Sequence, residues 1–83
     1  MQDLADKTKR ITGTKQVMRA LEQGNLELVY LALDADQKLQ NEIKTACGNS
    51  DVPVKTVPSM KELGKACCIE VKAAAAGILK QQP

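Results

Sequence analysis

Basic side chains are concentrated near the start of the chain. Residues 1–19 carry five basic groups and two acidic ones, and no Asp or Glu lies between Lys7 and Arg19. The whole chain has 12 Lys or Arg against 10 Asp or Glu, so the positive charge is local. A one-sided basic segment in a small domain is a candidate surface for contacting phosphate groups. A solvated lysine-rich surface gives the same pattern, and the charges alone leave both interpretations open.

Residue types that the chain lacks exclude several kinds of chemistry. With no His, the usual general base and the commonest metal ligand are missing, which excludes Ser-His-Asp triads and His-metal sites. The single aromatic residue, Tyr30, is too little for the stacking platforms that several folds use to hold unpaired bases. Most hydrolase schemes are excluded along with the His-dependent sites, and any nucleic acid must be recognised without aromatic stacking. We expect no metal and no cofactor, and we favour a protein that is not an enzyme over the thiol enzyme considered below.

Three cysteines and two aspartates are the remaining candidates for chemistry. The cysteines, Cys47, Cys67 and Cys68, are odd in number and have no C-x-x-C spacing, which is typical of buried or idle thiols in a reducing cytosol. A Cys67–Cys68 redox pair is disfavoured because adjacent cysteines close a strained ring. Asp34 and Asp36 follow a predicted strand, where carboxylates more often cap helices than form a catalytic pair.

The first third of the chain predicts two helices separated by a turn. Residues 3–9 follow helical spacing and predict a short amphipathic helix. Thr14 is the predicted N-cap of a second helix, which Gly24 ends. The apolar side of this second helix faces inward, and its opposite side carries three polar residues spaced four apart, Lys15, Arg19 and Gln23.

Strands and helices alternate through the middle of the chain. Residues 26–33 form a nearly continuous apolar run, typical of a strand covered on both faces in a parallel sheet. The next helix is expected to be capped by Asp34 or Asp36 and to stop at residues 48–51. Residues 52–57 are short and β-branched and predict another strand.

The last third begins with a capping box and ends in an ambiguous segment. Ser59 and Glu62 form the capping box, which starts a short helix through Ala66. Residues 73–79 have the propensity of a helix, yet their small side chains also fit a tightly packed central strand. The alternation upstream favours an α/β domain with helices on both faces of a sheet. The 83 residues are enough for one domain, which we expect to span residues 1–83.

Four segments in order resemble one protein family: residues 13–21, 34–36, 52–53 and 63–66. Together they resemble the L-seven-Ae family of ribosomal and RNA-processing proteins, and most closely its short bacterial members of the YbxF type. The resemblance runs from about Ile11 to Leu79. It implies a three-layer α/β/α sandwich with a four-stranded mixed sheet in which the alanine-rich segment is a central strand.

The resemblance also implies a function, binding of the kink-turn. This RNA motif combines an asymmetric internal loop with tandem sheared G·A pairs and bends the helix sharply. The family reads the G·A pairs with the start of the helix that begins here at Thr14, where Gly13 lets the backbone come close. Lys15 and Arg19 can donate to guanine O6 and N7, and Gln16 can donate and accept at a base edge. Archaeal members carry Asn, Glu and Lys, in that order, where this chain has Lys15, Gln16 and Arg19. Lys15 and Gln16 therefore depart from the archaeal pattern and match the bacterial one.

A second RNA contact is implied for the loop after the capping-box helix. In the family this loop covers an extruded nucleotide, and Ile69 and Val71 would supply its apolar surface here. Lys65 and Glu70 complete the site that the resemblance assigns. The family usually has Gly where Cys68 stands, so the loop is expected to be strained or differently shaped if that position needs a positive φ.

Three functions from different classes remain at this point. The first is a monomeric kink-turn RNA-binding protein, with the ribosome as a candidate location. The second is a ribosome-associated protein whose main partner is protein and whose RNA face is vestigial. The third is a small thiol enzyme using Cys67 or Cys68. Since no apolar run is long enough for a membrane span and the N-terminus lacks a basic, apolar leader, we expect a soluble cytoplasmic protein without a membrane partner.

Overall fold

The computed structural model describes residues 2–80 as an alternation of short helices and strands. A 3-10 helix and strand β1 open the chain, and three α-helices then alternate with three further strands. The order is 3-10 helix Gln2–Ala5, β1 Arg10–Thr12, α1 Thr14–Glu22, β2 Leu26–Ala32, α2 Gln37–Asn49, β3 Val54–Val57, α3 Met60–Ala66 and β4 Ala75–Leu79. No helix in this described part is long and apolar enough to cross a membrane.

The four strands form one mixed sheet in the order β1-β4-β2-β3. Strand β4 lies antiparallel to both β1 and β2, and β2 lies parallel to β3. The alanine-rich segment is therefore a central strand, as the resemblance implies, and its helical propensity is overridden. Pairing with strands on both sides overrides the helical propensity. Small residues fit this crowded position, since a Cβ built on Gly77 would come within 2.7 Å of Cδ1 of Leu26.

Helices cover both faces of the sheet, which confirms the three-layer α/β/α sandwich. Helices α1 and α2 pack on one face, around a core of Val17, Ala20, Leu21, Leu26, Val29, Leu31, Ile43, Cys47 and Ala75. Helix α3 and the 3-10 helix pack on the other, around Leu4, Tyr30, Ala32, Val57, Leu63, Cys67, Ala73, Ala76 and Ile78. Strand β2 contributes to both cores through alternate residues, so the prediction of a strand covered on both faces is confirmed.

The predicted helix over residues 3–9 is wrong. Only Gln2–Ala5 is helical, as one 3-10 turn. The carboxylate of Asp6 accepts the backbone N–H of Thr8 at 2.9 Å, and the carbonyl of Asp6 accepts the N–H of Lys9 at 3.0 Å. Because a short Asp side chain can satisfy nearby backbone donors, it stabilises a turn here in place of a continuing helix.

The start of α1 lies one residue earlier than predicted. Gly13 is the N-cap and Thr14 is already helical. Gly13 adopts φ 93° and donates its N–H to the carbonyl of Ala75 at 3.0 Å, while its own carbonyl accepts the N–H of Val17 at 3.1 Å. The positive φ suits glycine, which has no Cβ to clash, so the backbone conformation decides the cap at this position.

The two aspartates after β2 cap two different helices. Asp36 is the N-cap of α2 and accepts the N–H of Lys38 at 2.9 Å. Asp34 accepts the N–H of Met60 at 2.8 Å, at the first residue of α3, where Ser59 also accepts the N–H of Glu62 at 3.1 Å. The structural interpretation of both aspartates is confirmed, and Asp34 links the β2–α2 loop to α3.

Candidate nucleic-acid interface

Topology brings the two sequence-predicted RNA surfaces to one edge of the sheet. Strands β1, β2 and β3 run in the same direction and β4 runs against them, so the ends of the first three lie beside the start of the fourth. Helix α1 follows β1 directly, and the loop 68–72 leads into β4. The bond from Gly13 to Ala75 joins the helix start to the strand that this loop enters.

The N-terminus of α1 is open to an anion. No side chain in the described part of the chain caps it, and its first turn contains no acidic residue. The free N–H groups of a first helical turn carry a partial positive charge, which phosphate oxygens neutralise well. Because Gly13 presents no side chain, a phosphate backbone can approach this turn closely.

Three polar side chains extend from the exposed side of this helix start. Lys15, Gln16 and Arg19 are all exposed, and the opposite side of α1 is buried through Val17 and Leu21. Lys15 and Arg19 are one turn apart, so they are neighbours on the helix surface. In the described residues the only ion pair joins Lys9 to Asp6 at 3.9 Å, which leaves Lys15 and Arg19 uncompensated. Thr14 is half-buried at the first helical position.

Arg10 has a structural role, although the charge pattern groups it with the other basic residues. It lies on β1 and is half-buried. Its Nε donates to the carbonyl of Leu4 at 2.8 Å, and its Nη2 donates to the carbonyl of Cys67 at 2.6 Å. Arg10 thus ties the 3-10 helix to the end of α3. Local sequence gives no signal for this role, because Arg10 and Cys67 are 57 residues apart.

The loop 68–72 lies against α3. The N–H of Cys68 donates to the carbonyl of Lys65 at 3.0 Å, and the N–H of Ile69 donates to the carbonyl of Gly64 at 3.1 Å. Cys68 adopts φ 59°, the left-handed conformation that glycine accepts most readily. The position where the family usually has Gly therefore does adopt a positive φ, and a cysteine occupies it.

Gly64 lies in the segment 63–66 that carries the family resemblance, and the structure gives it a positioning role that its sequence context did not predict. A Cβ built on Gly64 would overlap the carbonyl oxygen of Val71 and come within 3.4 Å of the Cα of Lys72. The absence of a side chain lets the backbone of the loop rest on α3. The sequence offers one weak signal for this role. A glycine inside a helix destabilises the helix by about 1 kcal/mol relative to alanine, so its presence indicates a packing requirement.

The loop and α3 together form a groove of about 570 Å³. Val71 is 69% exposed on this groove. Ile69 is partly buried, so it contributes both to the groove and to the core beneath it. Every loop residue predicted from the resemblance lines this groove, and two further lysines join them, giving Lys61, Lys65, Ile69, Glu70, Val71 and Lys72. The groove therefore combines an apolar surface with three cations and one carboxylate.

Two of the three cysteines are poorly suited to thiol chemistry, and the third, Cys68, is exposed. Cys47 and Cys67 are buried, and burial raises the pKa of both thiols. A thiol with a raised pKa holds little thiolate at neutral pH and is a poor nucleophile. No group of three or more potential metal ligands occurs within residues 2–80.

Comparisons with known proteins agree with the fold and the sequence pattern. The model of the Ribosomal protein L7Ae/L30e/S12e/Gadd45 family matches residues 1–82. The chain is 47% identical over 72 residues to RNA-binding protein YbxF of Geobacillus stearothermophilus, covering 87% of this chain and 88% of that protein. It is 40% identical over 73 residues to RNA-binding protein BH0128 of Halalkalibacterium halodurans, covering 88% and 89%.

A solved structure shows the same fold. The Giardia lamblia 15.5kD RNA binding protein matches with a TM-score of 0.87 and 28% identity, covering 98% of this chain and 68% of that chain. This coverage is consistent with the family match over residues 1–82. The four resembling segments therefore identified the family correctly. The chain belongs to the Ribosomal protein L7Ae/L30e/S12e/Gadd45 family, which is non-enzymatic.

Proposed function

We propose that this protein binds RNA at kink-turn motifs, with the start of α1 and the loop 68–72 as two parts of one interface. The observation that carries the proposal is their position at one edge of the sheet, joined through Gly13 and Ala75. Relatives that are named RNA-binding proteins support RNA as the ligand class. The protein acts as a monomer in this proposal and needs no cofactor.

The start of α1 reads the sheared G·A pairs. Its uncapped first turn binds a phosphate, and Lys15, Gln16 and Arg19 reach the exposed base edges of the kinked groove. Kinking is essential to this step, because the major groove of regular A-form RNA is too deep and narrow for side chains to read.

The groove beside α3 covers the extruded nucleotide. Val71 and Ile69 supply apolar contact to the base, and Lys65 supplies a cation to the adjoining phosphate. Glu70 lines the same groove, where its carboxylate can accept a hydrogen bond from a base amino group. An apolar surface next to cations fits an unpaired nucleotide, which presents a flat base and a charged phosphate together.

A titration with two RNAs tests the proposal. One RNA carries the kink-turn, and the other carries Watson–Crick pairs in place of the sheared G·A pairs at equal length and charge. We expect tight binding and compaction of the first RNA only, with affinity falling as salt rises because bound counterions are released. Equal affinity for both RNAs would leave only nonspecific charge attraction and would refute kink-turn recognition.

Ribosome association is a further part of the proposal, supported by the ribosomal proteins in the family description. Cosedimentation of the protein with ribosomal particles tests it. Retention that the kink-turn RNA displaces would support binding through the RNA interface, whereas retention unaffected by that RNA would favour a protein partner.

A further inference from the structure

A second concave surface continues the α1 side of the interface away from the helix start. Two adjoining grooves of about 260 and 300 Å³ share Asn25 and Leu79. The first begins beside Gln16 and Arg19, and the second ends at Lys80. We call them together the α1 groove. It follows a helix of nine residues, a length of about 14 Å at 1.5 Å per residue.

The residues that line the α1 groove are amides, cations and apolar side chains. No carboxylate occurs among its described lining residues: Arg19 and Lys80 supply the cations, and Gln16, Gln23 and Asn25 supply the amides. Amide side chains both donate and accept, which matches a ribose hydroxyl, and the cations match phosphate oxygens. Ile11 packs partly against the core and gives the groove an apolar floor for the face of a sugar.

Backbone hydrogen bonds fix the far end of this groove. The N–H of Asn25 donates to the carbonyl of Ala20 at 3.0 Å, and the N–H of Lys80 donates to the carbonyl of Asn25 at 2.8 Å. The side-chain amide of Asn25 donates to Oε1 of Gln23 at 3.1 Å. The backbone of Lys80 is thus held beside the turn after α1, which places its exposed side chain at the end of the groove.

We propose that the α1 groove holds the sugar–phosphate backbone of an RNA strand leaving the kink, so that the protein contacts a flanking stem as well as the kink. Two features point to this occupant. The lining charge is complementary to phosphate, and the groove is continuous with Gln16 and Arg19 at the proposed base-reading surface. The inference rests on the proposed function and extends it to the RNA outside the motif.

Two substitutions at the far end of the groove test this inference. Lys80→Gln removes the exposed cation, and Asn25→Asp places a carboxylate against the phosphates without changing side-chain size. Lys55→Gln is the matched control, because Lys55 is exposed on β3, which two strands separate from β1. Each variant is titrated with two kink-turn RNAs, one with both stems at full length and one with a single stem trimmed back to the motif. Thermal melting verifies that each variant is folded.

We expect Lys80→Gln to weaken binding of the RNA with both stems at full length roughly threefold to tenfold, as the loss of one charge-assisted contact does. The slope of log affinity against log salt should fall by about one. Asn25→Asp should weaken it further, since a carboxylate repels phosphate. Trimming the stem that lies in the groove should remove both effects, and Lys55→Gln should bind like the parent throughout.

Two different failures are distinguishable. If the parent binds kink-turn and Watson–Crick RNAs equally, the proposed function fails and this inference fails with it. If the parent discriminates but both groove variants bind every stem length like the parent, only the α1 groove inference is overturned. Equal losses on full and trimmed RNAs would also overturn it, because the contact would then belong to the motif itself.

Discussion

Replacing Gly64 by alanine should separate folding from RNA binding. A Cβ at this position would overlap the carbonyl oxygen of Val71 and lie 3.2 Å from its carbonyl carbon. Both obstacles are backbone atoms, and they are anchored on either side by the bond from Ile69 to Gly64 and the 3.1 Å bond from Ala73 to Met60. The loop 68–72 must therefore move away from α3 if the substitution is made.

The expected magnitude follows from two opposing terms. Alanine is favoured over glycine in a helix by about 1 kcal/mol. Forcing an extra methyl group into a packed site costs about 1–3 kcal/mol. The matched control is Gly48→Ala in α2, where an added Cβ meets nothing within 4 Å. We expect the control to be stabilised by up to about 1 kcal/mol, and Gly64→Ala to be less stable than the control by about 1–3 kcal/mol.

Thermal melting and RNA titration measure the two consequences. A difference of 1 kcal/mol corresponds to a shift of roughly 4–8 °C in the melting temperature of a domain of this size. Gly64→Ala should melt below Gly48→Ala and should also lose affinity for kink-turn RNA, whereas Gly48→Ala should bind like the parent. Equal stabilisation by both substitutions together with unchanged RNA affinity would refute the packing of the loop on α3.

Four further predictions concern single side chains. Arg19→Ala should cost about 1–3 kcal/mol of binding and reduce discrimination between intact and G·A-disrupted RNA, whereas Lys9→Ala, at an exposed basic residue before β1, should weaken both RNAs alike. Equal titration losses on both RNAs for Arg19→Ala would make Arg19 a phosphate contact. Val71→Asp should weaken binding by charge repulsion and leave melting nearly unchanged, because the side chain is 69% exposed; parental affinity would remove the loop from the interface. Cys68→Gly should relieve a left-handed residue worth about 1–2 kcal/mol and offset the added unfolded-state entropy of about 0.4–1 kcal/mol, so melting should stay level or rise; a clear fall would contradict the strain. Burial and the nearby Asp3 charge raise the pKa of Tyr30 above 10.0, so stability should be intact below pH 10 and fall as pH rises through the raised pKa. Phenolate absorbance of this single tyrosine measures the pKa, and an ordinary pKa in the folded protein would contradict the burial.

Local patterns predicted much of the fold because they report local physics. The apolar side of α1 and the capping role of Ser59 follow from helical spacing and from the backbone donors at a helix start. The same patterns failed where two local options compete. At Asp6 a side-chain bond to the backbone ended the predicted N-terminal helix, and at Gly13 the backbone conformation displaced Thr14 as cap.

Long-range packing decided what local patterns could not. The residues of β4 have helical propensity, and their strand conformation comes from the pairing of β4 with both neighbours and the close approach of Leu26 to Gly77. Arg10 and Gly64 acquire their roles from partners that lie far along the chain or on a loop. Sequence resemblance proposed the candidate RNA residues, and the sheet topology explains why the two groups lie at one edge.

Amide chemical-shift mapping by NMR tests the shared interface most directly. Kink-turn RNA is added to the labelled protein, and the amides of every assigned residue are followed. We expect the largest changes at Gly13–Gln16 and at residues 69–72 together, at the same RNA concentration, with small changes on β3 and the exposed side of α2. Changes confined to α2 or β3, or changes in only one of the two segments, would contradict a single interface formed by the start of α1 and the loop 68–72.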